Sequence, residues 1–290
     1  RAGAFIDALS FDPTEVVFND SGANVDFRVE SSSLANMFHV DGGEDKIFIG
    51  HGATHSYDAY GVEVMMQLEA VGTAPYAGFG MVQNSNDADS SVLIFGKSRG
   101  TALASTTIVQ VNDVLGRIEF QGMDGSDLET GCSIFGVVDG TPGANDMPGR
   151  LVFLTTADGA HSATERMRIT AAGDGMIGKT VTTLATQGMR FNGGAGLAVL
   201  TRNQGGQLLL NRTGNTGSMA EFYQAGGLSG LIGSGPDGFQ INGISSTSGL
   251  EFATNAVLPA KNFARIDNAI SLGIAAERFD DVFSTNAVTT

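Results

Sequence analysis

The densest acidic stretch of the sequence, EFQGMDGSDLE, carries Glu119, Asp124, Asp127 and Glu129. Cleaving a glycosidic bond takes two carboxyl groups about 5 to 10 Å apart, or a carboxylate with a His or Tyr base. Asp124 and Asp127 sit among Gly and Ser, where an Asp side chain ordinarily bonds the backbone amides of its own turn. The stretch therefore reads as a turn, and no catalytic residue is assigned. The histidines are His39, His51, His55 and His161. His51 and His55 lie four apart in GHGATHSYDAYG with Asp58 nearby, a spacing that pairs two ligands on one face of a helix. The glycines make this a loop, and no Glu sits between the two. DGGED at 41–45 resembles a calcium loop without its full register of oxygen donors. No metal or cofactor site is assigned, although an ion held by one His or Asp from each of several chains on a shared axis stays open.

Binding residues are easier to nominate. Lys97 and Arg99 in GKSRG form the tightest basic pair in an acidic chain, suited to an anionic sugar or to a carboxylate of a neighbouring subunit. Sugar recognition stacks an aromatic ring on a sugar face and rings it with polar groups. The chain has no Trp and four Tyr, three of them, Tyr57, Tyr60 and Tyr76, in HSYDAYG and APYAGFG, the latter also holding Phe79. The candidate receptor contacts are thus Tyr57, Tyr60, Tyr76, Phe79, Lys97 and Arg99, with cover over subunit contacts the alternative for each ring.

Elements of a particular kind must position these residues. Of 290 residues 41 are Gly and only 6 Pro, about twice the usual glycine share of ~7% and without collagen's period. That density, among many Val, Ile, Phe and Thr, suits short strands and tight reversals, and the fold class expected is all-β. A net charge of −15 repels phosphate backbones and anionic lipid surfaces, which argues against nucleic-acid and membrane partners. No stretch approaches 18 consecutive apolar residues, so no membrane insertion is expected. The single Cys132 offers no intrachain disulfide. The N-terminus shows neither a signal peptide nor an initiating Met, and a longer parent chain with an upstream anchor is expected.

Along the chain, EVVFND, VDFRVES and MFHVDGGEDKIFIG read as half-buried strands around a hairpin, giving an N-terminal stalk or connector over 1–50. Residues 51–164 hold longer runs, among them GVEVMMQLEAVG, YAGFGMVQNS, SSVLIFGKSRG and TTIVQVNDVLGRIEFQGMDG, which fit six or so strands of a β-sandwich or jelly-roll-like knob. GVEVMMQLEAV can also be read as a helix. From 165 to 290 the runs shorten to GLAVLTR, GQLLLNR, MAEFYQ, LSGLIGS, GFQING and GLEFAT. Such strands bury themselves against copies of the chain more easily than against one another. One phrase occurs twice, FHVDGGEDKIFIG at 38–50 and ERMRITAAGDGMIG at 165–178. With no strand-to-helix context and no Lys-Ser/Thr pair after AAGDG, it reads as a structural joint rather than a phosphate loop, with Met167, Ile169 and Ile177 facing an axis.

VDGTPGANDMPGRLVFLTTADGAHSATERMRITAAGDGMIG, with VQNSNDADSSVLIFGKSRG and VLGRIEFQGMDGSDLE, closely resembles phage tail-fibre and tailspike proteins. NAISLGIAAERFDDVFSTNAVTT resembles the segment that leads into an endosialidase-type intramolecular chaperone, which releases itself by autocleavage in front of a serine. The resemblance implies Thr290 as the processed end. It also implies an elongated parallel homotrimer with a sandwich-like knob and an interwoven trimeric β shaft at 165–290, located in the virion tail. Its implied partners are the chain itself, a bacterial surface glycan or protein receptor, and other tail proteins joined through an N-terminal part. Its implied work is adhesion by trimer multivalency. A polysaccharide depolymerase and a structural tail connector are the alternatives.

Overall fold

The computed structural model describes residues 9–11, 16–18, 24–30, 32, 36–50, 64–70, 77–244 and 249–266. Every regular element among them is a strand, as the glycine-rich, β-branched composition dictates. The chain divides into two compact units, Arg1–Asn203 and Gln204–Thr290.

In the first unit β1 (Leu9–Phe11) pairs with β2 (Val16–Phe18). A four-stranded sheet joins β3 (Phe27–Val29), β4 (Phe38–Asp41), β5 (Lys46–Ile49) and β6 (Met66–Leu68), antiparallel except for the β5–β6 pair. The largest sheet is a seven-stranded antiparallel meander. It runs from β7 (Val114–Met123) through β8 (Leu128–Val138), β9 (Gly149–Thr155), β10 (Thr164–Ile169), β11 (Gly175–Ile177) and β12 (Gly188–Asn192) to β13 (Leu197–Thr201). The knob–shaft boundary expected at 164/165 falls inside β10. The second unit is a six-stranded meander of β14 (Gly217–Gln224), β15 (Gly227–Ser234), β16 (Phe239–Asn242), β17 (Gly249–Phe252), β18 (Val257–Lys261) and β19 (Ala264–Arg265).

The duplicated phrase is a duplicated hairpin. In the first copy β4 turns into β5, with Asp41 paired to Lys46 and Asp41 Oδ1 accepting from the amides of Gly43 and Glu44 at 2.9 and 3.0 Å. In the second, β10 turns into β11 through Thr170, whose N–H donates to the Asp174 carbonyl at 3.0 Å and whose Oγ1 accepts from the Asp174 N–H at 3.1 Å. Each copy closes on a glycine in the left-handed region, Gly50 at φ 91° and Gly178 at φ 68°. At Gly50 a Cβ would also lie 2.1 Å from the Glu69 carbonyl oxygen, so a side chain is excluded twice over.

Cross-strand register decides what each face of the seven-stranded sheet carries. Ile118, Ile134, Phe153, Met167, Ile177, Met189 and Leu200 are successive partners, forming one apolar row across all seven strands. Beside it runs Gly116, Gly136, Leu151, Ile169, Gly175, Phe191 and Ala198. Met167, Ile169 and Ile177 therefore share a face, as their spacing predicts. The opposite face carries Val152 and Met176, 5% and 1% exposed. They lie among the ion pairs Arg150–Asp139 (2.9 Å), Arg168–Glu165 (2.5 Å) and Arg190–Asp174 (2.9 Å). The charged face is thus the covered one, and the apolar face is open at Ile118, Ile177 and Phe191 (45%, 44% and 49% exposed).

The strand-like runs at 77–113 form no strand, which corrects the expectation for YAGFGMVQNS, SSVLIFGKSRG and TTIVQVN. GQLLLNR likewise forms no strand. A strand needs a continuous ladder of a neighbour's N–H and C=O groups, and among the described residues these runs make only scattered bonds, such as Arg99 N–H to the Thr107 carbonyl and Asn112 N–H to the Val138 carbonyl.

Candidate functional site

The stretch before β7 is the part of the first unit best furnished with polar groups. Val109 is 4% exposed, the Asn112 N–H donates to the Val138 carbonyl and the Val138 N–H to the Asp113 carbonyl, both at 2.9 Å. Arg150 Nη2 donates to Asn112 Oδ1 at 2.8 Å. These bonds pin Asp113 to the end of β8. Asp113 then holds Arg99 in a two-pronged pair, Nε to Oδ2 and Nη2 to Oδ1, each 2.7 Å, and accepts the Gln110 N–H at 3.0 Å. Arg99, the Gln110 amide and nearby Lys97 hold the Asp113 carboxyl well below the usual carboxylate range. Asp113 in turn raises the guanidinium of Arg99.

Anchored this way, 98–107 folds back on itself. The Arg99 N–H and Ser98 Oγ both donate to the Thr107 carbonyl at 3.2 Å. Ser105 Oγ accepts the Thr107 N–H at 3.3 Å and lies 3.1 Å from Thr107 Oγ1. Gly100 is required by close approach, since a Cβ there would fall 1.5 Å from Ser105 Oγ. The result is an open depression of about 360 Å³ lined by Lys97, Ser98, Ser105, Thr106, Thr107, Gly143, Ala144 and Met147. One ammonium and several hydroxyls can bind hydroxylated or anionic groups. No carboxylate is among the lining residues, so the depression offers no acid–base pair.

Of the residues nominated from sequence, Lys97 lines this depression and Arg99 builds it from behind, its guanidinium engaged with Asp113 of its own chain. Phe79 is 71% exposed on the unpaired stretch and is not among the lining residues. Tyr57, Tyr60, Tyr76 and Thr290 lie outside the described residues, as do His51, His55 and Asp58. Ser98, Ser105 and Thr107 were not nominated. The hydroxyl-rich run GKSRGTALASTT, directly after an apolar one, is the signal that points to them.

The acidic turn is a turn: Asp124 Oδ1 accepts the amides of Ser126 and Asp127 at 2.7 and 3.0 Å, bonds that lower its pKa. Asp26, His39 and Asp41 each bring one possible ligand atom within 4.8 Å of the others. His39 is 5% exposed with Nε2 3.4 Å from Asp26 Oδ2. Asp41 Oδ1 and Asp26 Oδ1 meanwhile hold the amides of the 42–44 turn. The two carboxylates thus fasten the hairpin turn, while the buried His39 Nδ1 has no hydrogen-bond partner among the described residues.

No protein-family profile and no curated protein matches the sequence. Among solved structures, the carboxy-terminal domain of the bacteriophage T5 L-shaped tail fibre aligns with a TM-score of 0.34 and 15% identity, over 73% of this chain and 100% of that one. The same domain with its intra-molecular chaperone domain aligns with a TM-score of 0.34 and 17% identity, over 73% and 68%. At these scores the likeness is loose.

Proposed function

We propose that this chain is part of a phage tail fibre or spike and works as a homotrimeric adhesin that binds a bacterial surface receptor, a glycan. One observation carries the assembly. Among the described residues eight apolar side chains are buried, whereas forty large ones remain exposed. A chain so arranged is completed by further copies, and each copy brings its own receptor site. Three modest sites on one particle retain a cell that one site would release. The tail-fibre assignment rests on the phrases quoted from residues 82–178, and so do the virion-tail location and the attachment to other tail proteins.

The receptor site proposed is the Lys97 depression, with Arg99 as its positioning residue and Phe79 and the tyrosines 57, 60 and 76 as candidate stacking rings. Ammonium and hydroxyls select sugar hydroxyls and acidic sugar substituents. The test is pull-down of the full chain on candidate host cells, each treated beforehand with periodate or with protease. Loss of binding with periodate alone, and about tenfold weaker binding for Lys97→Ala, is the expected result. Loss with protease alone identifies a protein receptor and overturns the glycan. Release of reducing ends from purified capsule or lipopolysaccharide overturns the adhesin in favour of a depolymerase, and no binding to any host cell in favour of a connector.

A further inference from the structure

We infer that copies of this chain meet through the apolar face of the seven-stranded sheet, with the ion-paired face turned away from the seam. The inference rests on the homotrimer proposed above and adds the surface by which it forms. The two rows on that face, one through Ile118, Met167 and Ile177 and the other through Leu151, Ile169 and Phe191, contain no charged residue from β7 to β13. Contiguous apolar surface of this extent is not left to water on a soluble monomer.

What covers the face follows from charge and from shape. Each chain carries −15, so two copies can approach only where neither presents acids. On this sheet the acids Asp139, Glu165 and Asp174 pair with arginines on the opposite side. The shape is self-complementary. Gly116 and Gly136 leave an open hollow of about 230 Å³, lined by Phe95, Leu115, Arg117, Ile118, Ile134 and Leu151, with no acid among them. Further along the same face Ile169, Ile177 and Phe191 project, 39%, 44% and 49% exposed. Projections at one place and a hollow at another on a single face suit a head-to-tail contact, the kind that closes into a ring of three.

The test uses the full chain and its Ile177→Cys variant in a Cys132→Ser background, with Ile177→Glu alongside. Light scattering gives the mass, and maleimide labelling gives thiol access. The expected wild-type mass is three times that of the 30.0 kDa chain. The Ile177→Cys thiol is expected to label at least about tenfold more slowly in the native particle than after unfolding. Ile177→Glu is expected to lose the trimer. A native trimer whose Ile177→Cys thiol labels as fast as an unfolded one overturns the seam and leaves the homotrimer standing. A wild-type chain that stays at single-chain mass overturns the homotrimer, and the seam with it.

Discussion

The two large meanders cover opposite kinds of side chain from those a soluble sheet ordinarily covers, and they differ in how far they go. In the seven-stranded sheet the covered face is mixed, with Met176 and Val152 among arginine–carboxylate pairs. The six-stranded sheet hides a connected polar cluster at its middle, in register with the buried Leu231 and Ala260. Gln240 and Glu251 are both 0% exposed and Asn242 is 3%. Glu251 accepts from Gln240 at 2.5 Å and from Arg265 at 2.8 and 3.1 Å, while Asn242 donates to Gln240 at 3.2 Å. Its open face presents Phe239, Ile241, Leu250, Phe252 and Val257, between 41% and 58% exposed. A network of this kind gains little net stability, because desolvation offsets much of the attraction, but losing one member leaves the others buried and unpaired. Both covered faces mix polar and apolar groups, as separate arginine–carboxylate pairs around Met176 and Val152 in the first sheet and as one connected network beside Leu231 and Ala260 in the second.

Substitutions can break that contrast. The largest expected effect is on Glu251→Ala, which strands Gln240 and half of Arg265's bonds and costs about 3 to 4 kcal/mol. Hydrogen exchange should rise across β16–β18 while β8–β10 keep their protection. Met176→Ala is its counterpart in the first sheet, a cavity of about 3 kcal/mol read as lost protection in β10–β12 only. Equal loss in both sheets from either variant would show that the distinction is false.

Acid should sharpen the comparison. Burial pushes the Glu251 carboxyl up, but Gln240, Arg265 and the Asp237 N–H outweigh it and hold the group below its ordinary value near 4.5. A carboxyl with a lower pKa folded than unfolded contributes stability above its unfolded value, and loses it as pH falls through the folded one. Asp139 follows the same direction in the first sheet, where the Ala171 amide and Arg150 outweigh burial. Urea midpoints should be flat from pH 7 to about 5 and fall below about 4. Glu251→Gln should flatten that fall for the second sheet alone. The smallest effect expected is on Asp124→Ala, which removes two turn bonds at the exposed β7–β8 hairpin and lowers the melting temperature only slightly.

The last third of the sequence was the most legible. GLAVLTR, MAEFYQ, LSGLIGS, GFQING and GLEFAT became β13 to β17, GQLLLNR alone of the runs there forming no strand, because short runs between glycines that alternate sides favour paired strands. The stretch 77–113 was the least legible: SSVLIFG has every local mark of a strand, yet pairing is a property of two segments, and no strand among the described residues pairs with it. At the site, the Lys97–Arg99 pair was visible as a spacing. That Arg99 would be taken by Asp113, fourteen residues on, was not, nor that folding back 98–107 would gather four hydroxyl-bearing residues with Lys97 around one depression.

Composition and period alone determined that the chain is all-β, where it reverses, and that Met167, Ile169 and Ile177 share a face. Tertiary structure decided which face lies under cover, and it chose the charged one. The physical reason is that a period of two sorts side chains into two sets without ranking them. The ranking depends on which remote loops and side chains come to lie over the sheet, as when Arg150, Arg168 and Arg190 close over their carboxylates beside Met176.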